Sequence, residues 1–249
     1  MNEQAIQKVL QFGERFSNEY LPRTWKARLE KDWYGGVALL ISRGFYQGRR
    51  DEVSEMVERA AGPVLDRNFD GKQFSILNGF DFDALKTELM AVIGKGKVGK
   101  ERDAEMVVDM FRFVSRLPAE NLAQYSVSAI ERGDIRKLYK DLMEITSVGP
   151  KIASLYLRDL VDLYDVEGKI APEDLVLLQP VDVWVRKVAR KTGIVSDGAS
   201  DSEIQKSILE VCKKAGVSAL RFNQGVWYLG KNAFDIVVAN LETIQVPEA

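Results

Sequence analysis

Apolar residues return at helical spacing along most of the chain, and period-two alternation is scarce. Ile6, Val9, Leu10, Gly13 and Phe16 share a face and predict a first helix, interrupted at Pro22. Val37 to Ile41 predicts a second helix, opened by the flexible pair Gly35-Gly36, and Gly44 and Gly48 bracket a break around Phe45-Tyr46-Gln47. Val53, Met56, Val57 and Ala60 line one side of a short helix from Asp51 to Ala61, which Gly62-Pro63 should stop. Residues 64–80 read as loop with short helical pieces, and Phe82 to Ile93 as helix. Gly94 to Lys100 reads as a basic glycine-rich loop without the Gly-Lys-Ser/Thr ending of a P-loop. Further helices follow over Asp103 to Leu117, Ala119 to Glu131 and Asp134 to Ile145, the last with Asp134 as N-cap. Pro150 suits the first position of a helix reaching about Leu163, and a polar stretch from Asp165 to Asp174 separates it from Leu175 to Leu178. Asp182 should N-cap Val183 to Lys191, which Gly193 ends, and Ser200 with Glu203 forms a capping box for the helix to Ala215. Asn223 to Leu241 completes an all-α chain without internal repeats.

Composition narrows the chemistry. The 249 residues carry 46% hydrophobic and 29% charged side chains, enough apolar surface for a substantial core. Cys212 is the only cysteine, which excludes an intramolecular disulfide, a four-cysteine zinc site and a cysteine-ligated iron–sulfur cluster. It sits on an apolar helix face and reads as a small core residue. The chain has no histidine, so Ser-His-Asp and Cys-His catalysis and histidine-ligated metals are excluded as well. Lys, Asp, Glu, Tyr, Ser and the one Cys remain as candidate reactive groups. The net charge of −2 means that a nucleic-acid partner would have to meet basic groups gathered on one face. The apolar runs are too short to span a bilayer and the first residues are polar, so the expectation is a cytoplasmic protein with no membrane partner.

One constellation stands out. Ile145-Thr146-Ser147-Val148-Gly149-Pro150-Lys151-Ile152-Ala153 joins two short helices by a tight turn. Amides at such a helix start suit a phosphate, and a glycine permits close approach of its backbone. A lysine in the first turn faces the positive end of the helix dipole, and burial there would make it a better amine nucleophile. Downstream, Gln179-Pro180-Val181-Asp182-Val183-Trp184-Val185-Arg186 sets a carboxylate at the mouth of another helix.

Val148-Gly149-Pro150-Lys151-x-Ala153 followed by Pro180-Val181-Asp182-x-x-x-Arg186 resembles the hairpin-and-aspartate signature of the helix-hairpin-helix base-excision DNA glycosylases. The strict match covers roughly residues 134–190. The spacing of 31 positions from Lys151 to Asp182 exceeds that of endonuclease III and resembles the archaeal 8-oxoguanine glycosylase branch. Trp184 stands where histidine is common, and the terminal cluster cysteines are missing, so no iron–sulfur cluster is expected.

The resemblance implies a two-lobed fold with a DNA-binding cleft between the lobes. Residues 37–163 would form a helical barrel ending in the hairpin at about 134–163, residues 1–36 with 179–249 the second lobe, and 164–178 a connecting insertion. Lys151 would attack C1′ of the damaged nucleotide, and Asp182 would activate it and stabilise charge on the sugar. Val148 and Gly149 would contact phosphate, joined by Arg186, and Gln47 would serve as a wedge in the duplex. Phe222, Trp227, Tyr228 and Trp184 are the base-pocket candidates, although residues such as Phe222, Trp227 and Tyr228 are more often core than pocket. The expected activity is that of a monomeric bifunctional glycosylase and lyase on double-stranded DNA containing a damaged base, with 8-oxoguanine favoured. No cofactor is expected beyond a monovalent cation at the hairpin. The alternatives are an oxidised-pyrimidine glycosylase, a non-catalytic helix-hairpin-helix DNA-binding protein, and a helical interaction protein carrying the motif by chance.

Overall fold

The computed structural model describes residues 1–93, 100–237 and 240. Its helices are α1 (Glu3–Tyr20), α2 (Thr24–Lys31), α3 (Trp33–Gly44), α4 (Asp51–Phe69), α5 (Phe82–Ile93), α6 (Lys100–Ser115), α7 (Leu122–Glu131), α8 (Ile135–Met143), α9 (Pro150–Tyr164), α10 (Val183–Lys191), α11 (Asp201–Ala215) and α12 (Ala219–Val237). Single 3-10 turns occupy Phe74–Leu77, Glu167–Lys169 and Pro172–Leu178, and the described residues contain no strand. The chain is all-α. The basic loop expected at Gly94 lies outside the described residues up to Lys100, where α6 begins. No described helix is long and apolar enough to cross a membrane. Internal contacts divide the chain into two compact units, residues 25–156 and residues 1–24 with 157–249. Residues 25–36 thus fall in the continuous unit and 157–178 in the discontinuous one.

In the continuous unit, α3 is buried along its whole length, which explains the unbroken apolar run at Val37 to Ile41. The helix starts earlier than its apolar residues because the Asp32 carboxylate accepts from the Gly35 amide at 2.6 Å. Gly35 and Gly36 are not a flexible opening. A Cβ on Gly35 would lie 2.0 Å from the Arg28 carbonyl oxygen, and one on Gly36 would meet the Asn121 side chain. Asn121 caps α7 and donates to the carbonyls of Leu29 and Asp32, tying α2, α3 and α7 together. α2 left no trace in the periodicity, since Leu29 is its one buried residue.

The expected stop at Gly62-Pro63 does not occur, and α4 runs through both to Phe69. Ala61, Val64, Leu65 and Phe69 continue its buried face, while Pro63 and Arg59 are exposed. The hydrogen bond that Pro63 cannot give is therefore lost on the solvent-exposed side of the helix. Phe69 packs against Phe111 of α6 with tilted rings 4.2 Å apart at their centres, and Trp33 and Tyr34 of α3 lie around them.

In the discontinuous unit, α1 and α12 cross at two glycines. A Cβ on Gly225 would stand 1.9 Å from the Val9 carbonyl oxygen, and one on Gly13 would stand 2.2 Å from that of Arg221. The capping box of Ser200 and Glu203 opens α11, and Gly216 closes it in the left-handed conformation.

Candidate functional site

The hairpin joins α8 to α9 and lies, with the first turns of α9, in the continuous unit. Asp134 occupies the N-cap position of α8 but makes no capping bond, and its carboxylate pairs with Arg132 instead. The turn that follows takes its left-handed residue from Ser147, with φ 67°, and not from glycine. Such a conformation is unfavourable for a side chain and persists where neighbours hold it. Two side chains of α6 do so: the Ser147 hydroxyl accepts from Arg102 at 2.9 Å, and Asp109 accepts from both the amide and the hydroxyl of Thr146. Burial favours the neutral form of Asp109, yet the two Thr146 donors and Arg112 outweigh it and hold the carboxyl below its ordinary range.

Gly149 comes after this turn, directly before α9, and so does not cap α8. A Cβ there would meet nothing within 4 Å, and its φ is not positive. The amides of Gly149 and Ile152 have no acceptor among the described residues, whereas that of Val148 bonds to the Ile145 carbonyl at 3.0 Å. Val148 itself is core, 3% exposed. The anion-binding potential of the hairpin therefore rests on the amides at the mouth of α9.

Lys151 stands in the first turn of α9, half-buried, and its ammonium donates to the carbonyl of Tyr46 at 2.8 Å. That carbonyl belongs to the loop between α3 and α4. The same loop carries Gln47, whose side chain turns back toward the Met106 sulfur at 2.6 Å. Arg49 ties the loop down through the Phe45 carbonyl and a two-pronged ion pair with Asp103 at 2.6 and 2.7 Å.

Asp182 lies in the discontinuous unit and N-caps α10 as its position requires. Its Oδ1 accepts from the amides of Trp184 and Val185, and its Oδ2 from the indole of Trp227 at 2.9 Å. Trp227 is half-buried, packed edge-on to Phe16 and Tyr20, with the Lys231 ammonium 5.0 Å from its ring centre. One helical turn earlier on α12, Asn223 donates to the Pro180 carbonyl and accepts from Arg158 at 2.9 Å. Arg158 is 1% exposed and forms a 2.7 Å ion pair with Asp159. Two residues of one helix face thus hold the Pro180-Val181-Asp182 turn.

The remaining candidates separate by exposure. Phe222 is fully buried, and Tyr228 is core, donating its hydroxyl to Glu19 and stacking on Phe12. Trp184 is half-buried, with the Lys187 ammonium 4.6 Å from its ring centre. Arg186 is committed to a two-pronged pair with Asp201 at 2.6 and 2.8 Å. A cleft of about 410 Å³ in the discontinuous unit contains none of the nominated residues. Its charged lining, Glu14, Asp162, Asp165 and Glu167 with Arg221, is mostly acidic. Sequence reading missed Tyr46, Arg49, Asp103, Asp109, Arg158 and Asn223, whose parts depend on partners far along the chain. No protein-family model matches the sequence. No curated protein matches it either.

Proposed function

We propose that the chain is a helix-hairpin-helix DNA glycosylase with lyase activity, acting on an oxidised base in duplex DNA, with 8-oxoguanine the favoured substrate. The observation that carries this is the hairpin: a strained turn pinned by α6, two open amides at the mouth of α9, and a lysine in that helix's first turn. The two-lobed glycosylase fold with DNA in its cleft belongs to the same proposal. In it, the open amides of Gly149 and Ile152 take a backbone phosphate, and the damaged nucleotide is turned out of the stack. Lys151 gives up a proton to solvent and attacks C1′ as a neutral amine, and the departing base keeps the electrons of the broken glycosidic bond and takes up a proton. The Asp182 carboxylate, oriented by three donors, stabilises positive charge developing on the sugar. Opening of the sugar ring yields a Schiff base on Lys151. Loss of a C2′ proton then expels the 3′ phosphate and nicks the strand.

Borohydride trapping tests the proposal. A covalent protein–DNA adduct is expected on duplex containing 8-oxoguanine, and Lys151→Gln should abolish it and slow nicking by at least about 10³-fold. An adduct on oxidised-pyrimidine duplex alone keeps the mechanism and changes the substrate. Salt-dependent DNA binding without any adduct or cleavage would instead assign the chain to non-catalytic DNA-binding proteins.

A further inference from the structure

Resting on the reading of Lys151 as nucleophile, we infer that the buried Arg49–Asp103 ion pair is the positioning device for that lysine, acting through the carbonyl of Tyr46. The chain of contacts lies within the continuous unit. Asp103, in the first turn of α6, is 3% exposed and receives both prongs of the Arg49 fork. The Arg49 Nε donates to the Phe45 carbonyl at 3.0 Å, fixing the peptide next to Tyr46. The Tyr46 carbonyl then takes the Lys151 ammonium at 2.8 Å across 105 positions of sequence.

A buried ion pair is a poor source of stability, because desolvating two charges offsets most of their attraction. What a two-pronged pair supplies is direction. Direction is what this loop lacks by itself: residues 45–50 connect two helices, and Gly48 sits in the left-handed region. A lysine at a helix N-terminus is opposed by the helix dipole, and an aimed carbonyl oxygen offsets that opposition. Its flexible stem would otherwise sample many positions, and a misplacement of about 1 Å can cost a reaction about 10²-fold. The clamp therefore holds Lys151 at one place, and the neutral amine formed there keeps the Tyr46 carbonyl as acceptor for one N–H while its lone pair is free to attack.

Trace acetylation at one mildly alkaline pH, read by mass spectrometry, tests this in the full-length protein without reliance on DNA cleavage. Lys137 and Lys140 of α8 serve as internal references. In Asp103→Asn, Lys151 should label about tenfold faster relative to them, since a bonded ammonium is protected and a released one is not. Arg49→Lys keeps the charge but loses the fork, and carries the same expectation should Asp103→Asn fail to fold. On lesion-containing DNA both variants should lose kcat with KM unchanged. An unchanged labelling ratio in a folded variant overturns the inference, as does equal acceleration of all three lysines, which marks a merely structural role. If the wild-type protein cuts no lesion, the glycosylase reading fails while the labelling ratio still decides the clamp.

Discussion

Asp182 accepts three hydrogen bonds, two from its own helix start and one from Trp227, 45 positions away. The first two are a folding role and would be met by asparagine nearly as well. The third orients the second oxygen and leaves that oxygen a lone pair for another partner. The two roles can be separated. Asp182→Asn should lower the urea-unfolding stability by only about 1 kcal/mol, from the indole left without its acceptor. Under the proposed function, single-turnover excision should fall by about 10²-fold or more, because the negative charge is gone. A loss of activity no greater than the fractional loss of folded protein would reduce Asp182 to a cap.

Between elements, the hairpin depends on a carboxylate it does not contain. Asp109 of α6 holds Thr146 by two donors, and its carboxyl titrates below its ordinary value of 3.8. A lowered folded-state value means stability that is fully present above the ordinary value and is lost as the pH falls through the folded one. Unfolding midpoints measured between about pH 5 and pH 3 should therefore decline. In Asp109→Asn the decline should be shallower and the midpoint at neutral pH lower. Parallel curves for the two proteins would mean that Asp109 contributes nothing to acid sensitivity. α4 gives the same lesson in apolar terms. Its Gly62-Pro63 pair satisfies every local rule for a stop, yet the buried face formed by Ala61, Val64, Leu65 and Phe69 carries the helix onward.

For the whole molecule, the discontinuous unit brings together residues 1–24 and 157–249, and α1 against α12 is the seam within it. The seam is built by backbone meeting backbone, so no side-chain rotation can relieve an added methyl. Gly225→Ala should cost about 3 kcal/mol or more. Gly62→Ala, on an open face of α4, should instead stabilise by about 0.5–1 kcal/mol. Thermal melts of the two variants should move in opposite directions.

Sequence by itself determined what depends on neighbours a few residues away. The helical class, the bounds of α5 and α10, the caps of α10 and α11, and Pro150 opening α9 were all legible, because caps and periodicity act over one or two turns. The place of Lys151 in the first turn of α9 and the N-cap position of Asp182 were legible for the same reason. Only the tertiary structure decided that α4 passes through a proline, that Ser147 takes the left-handed turn before α9, and that Arg186 pairs with Asp201. It alone gave Lys151 the Tyr46 carbonyl and Asp182 the Trp227 indole. Those partners lie 105 and 45 positions away, and at such separations the packing of whole helices chooses which polar groups meet.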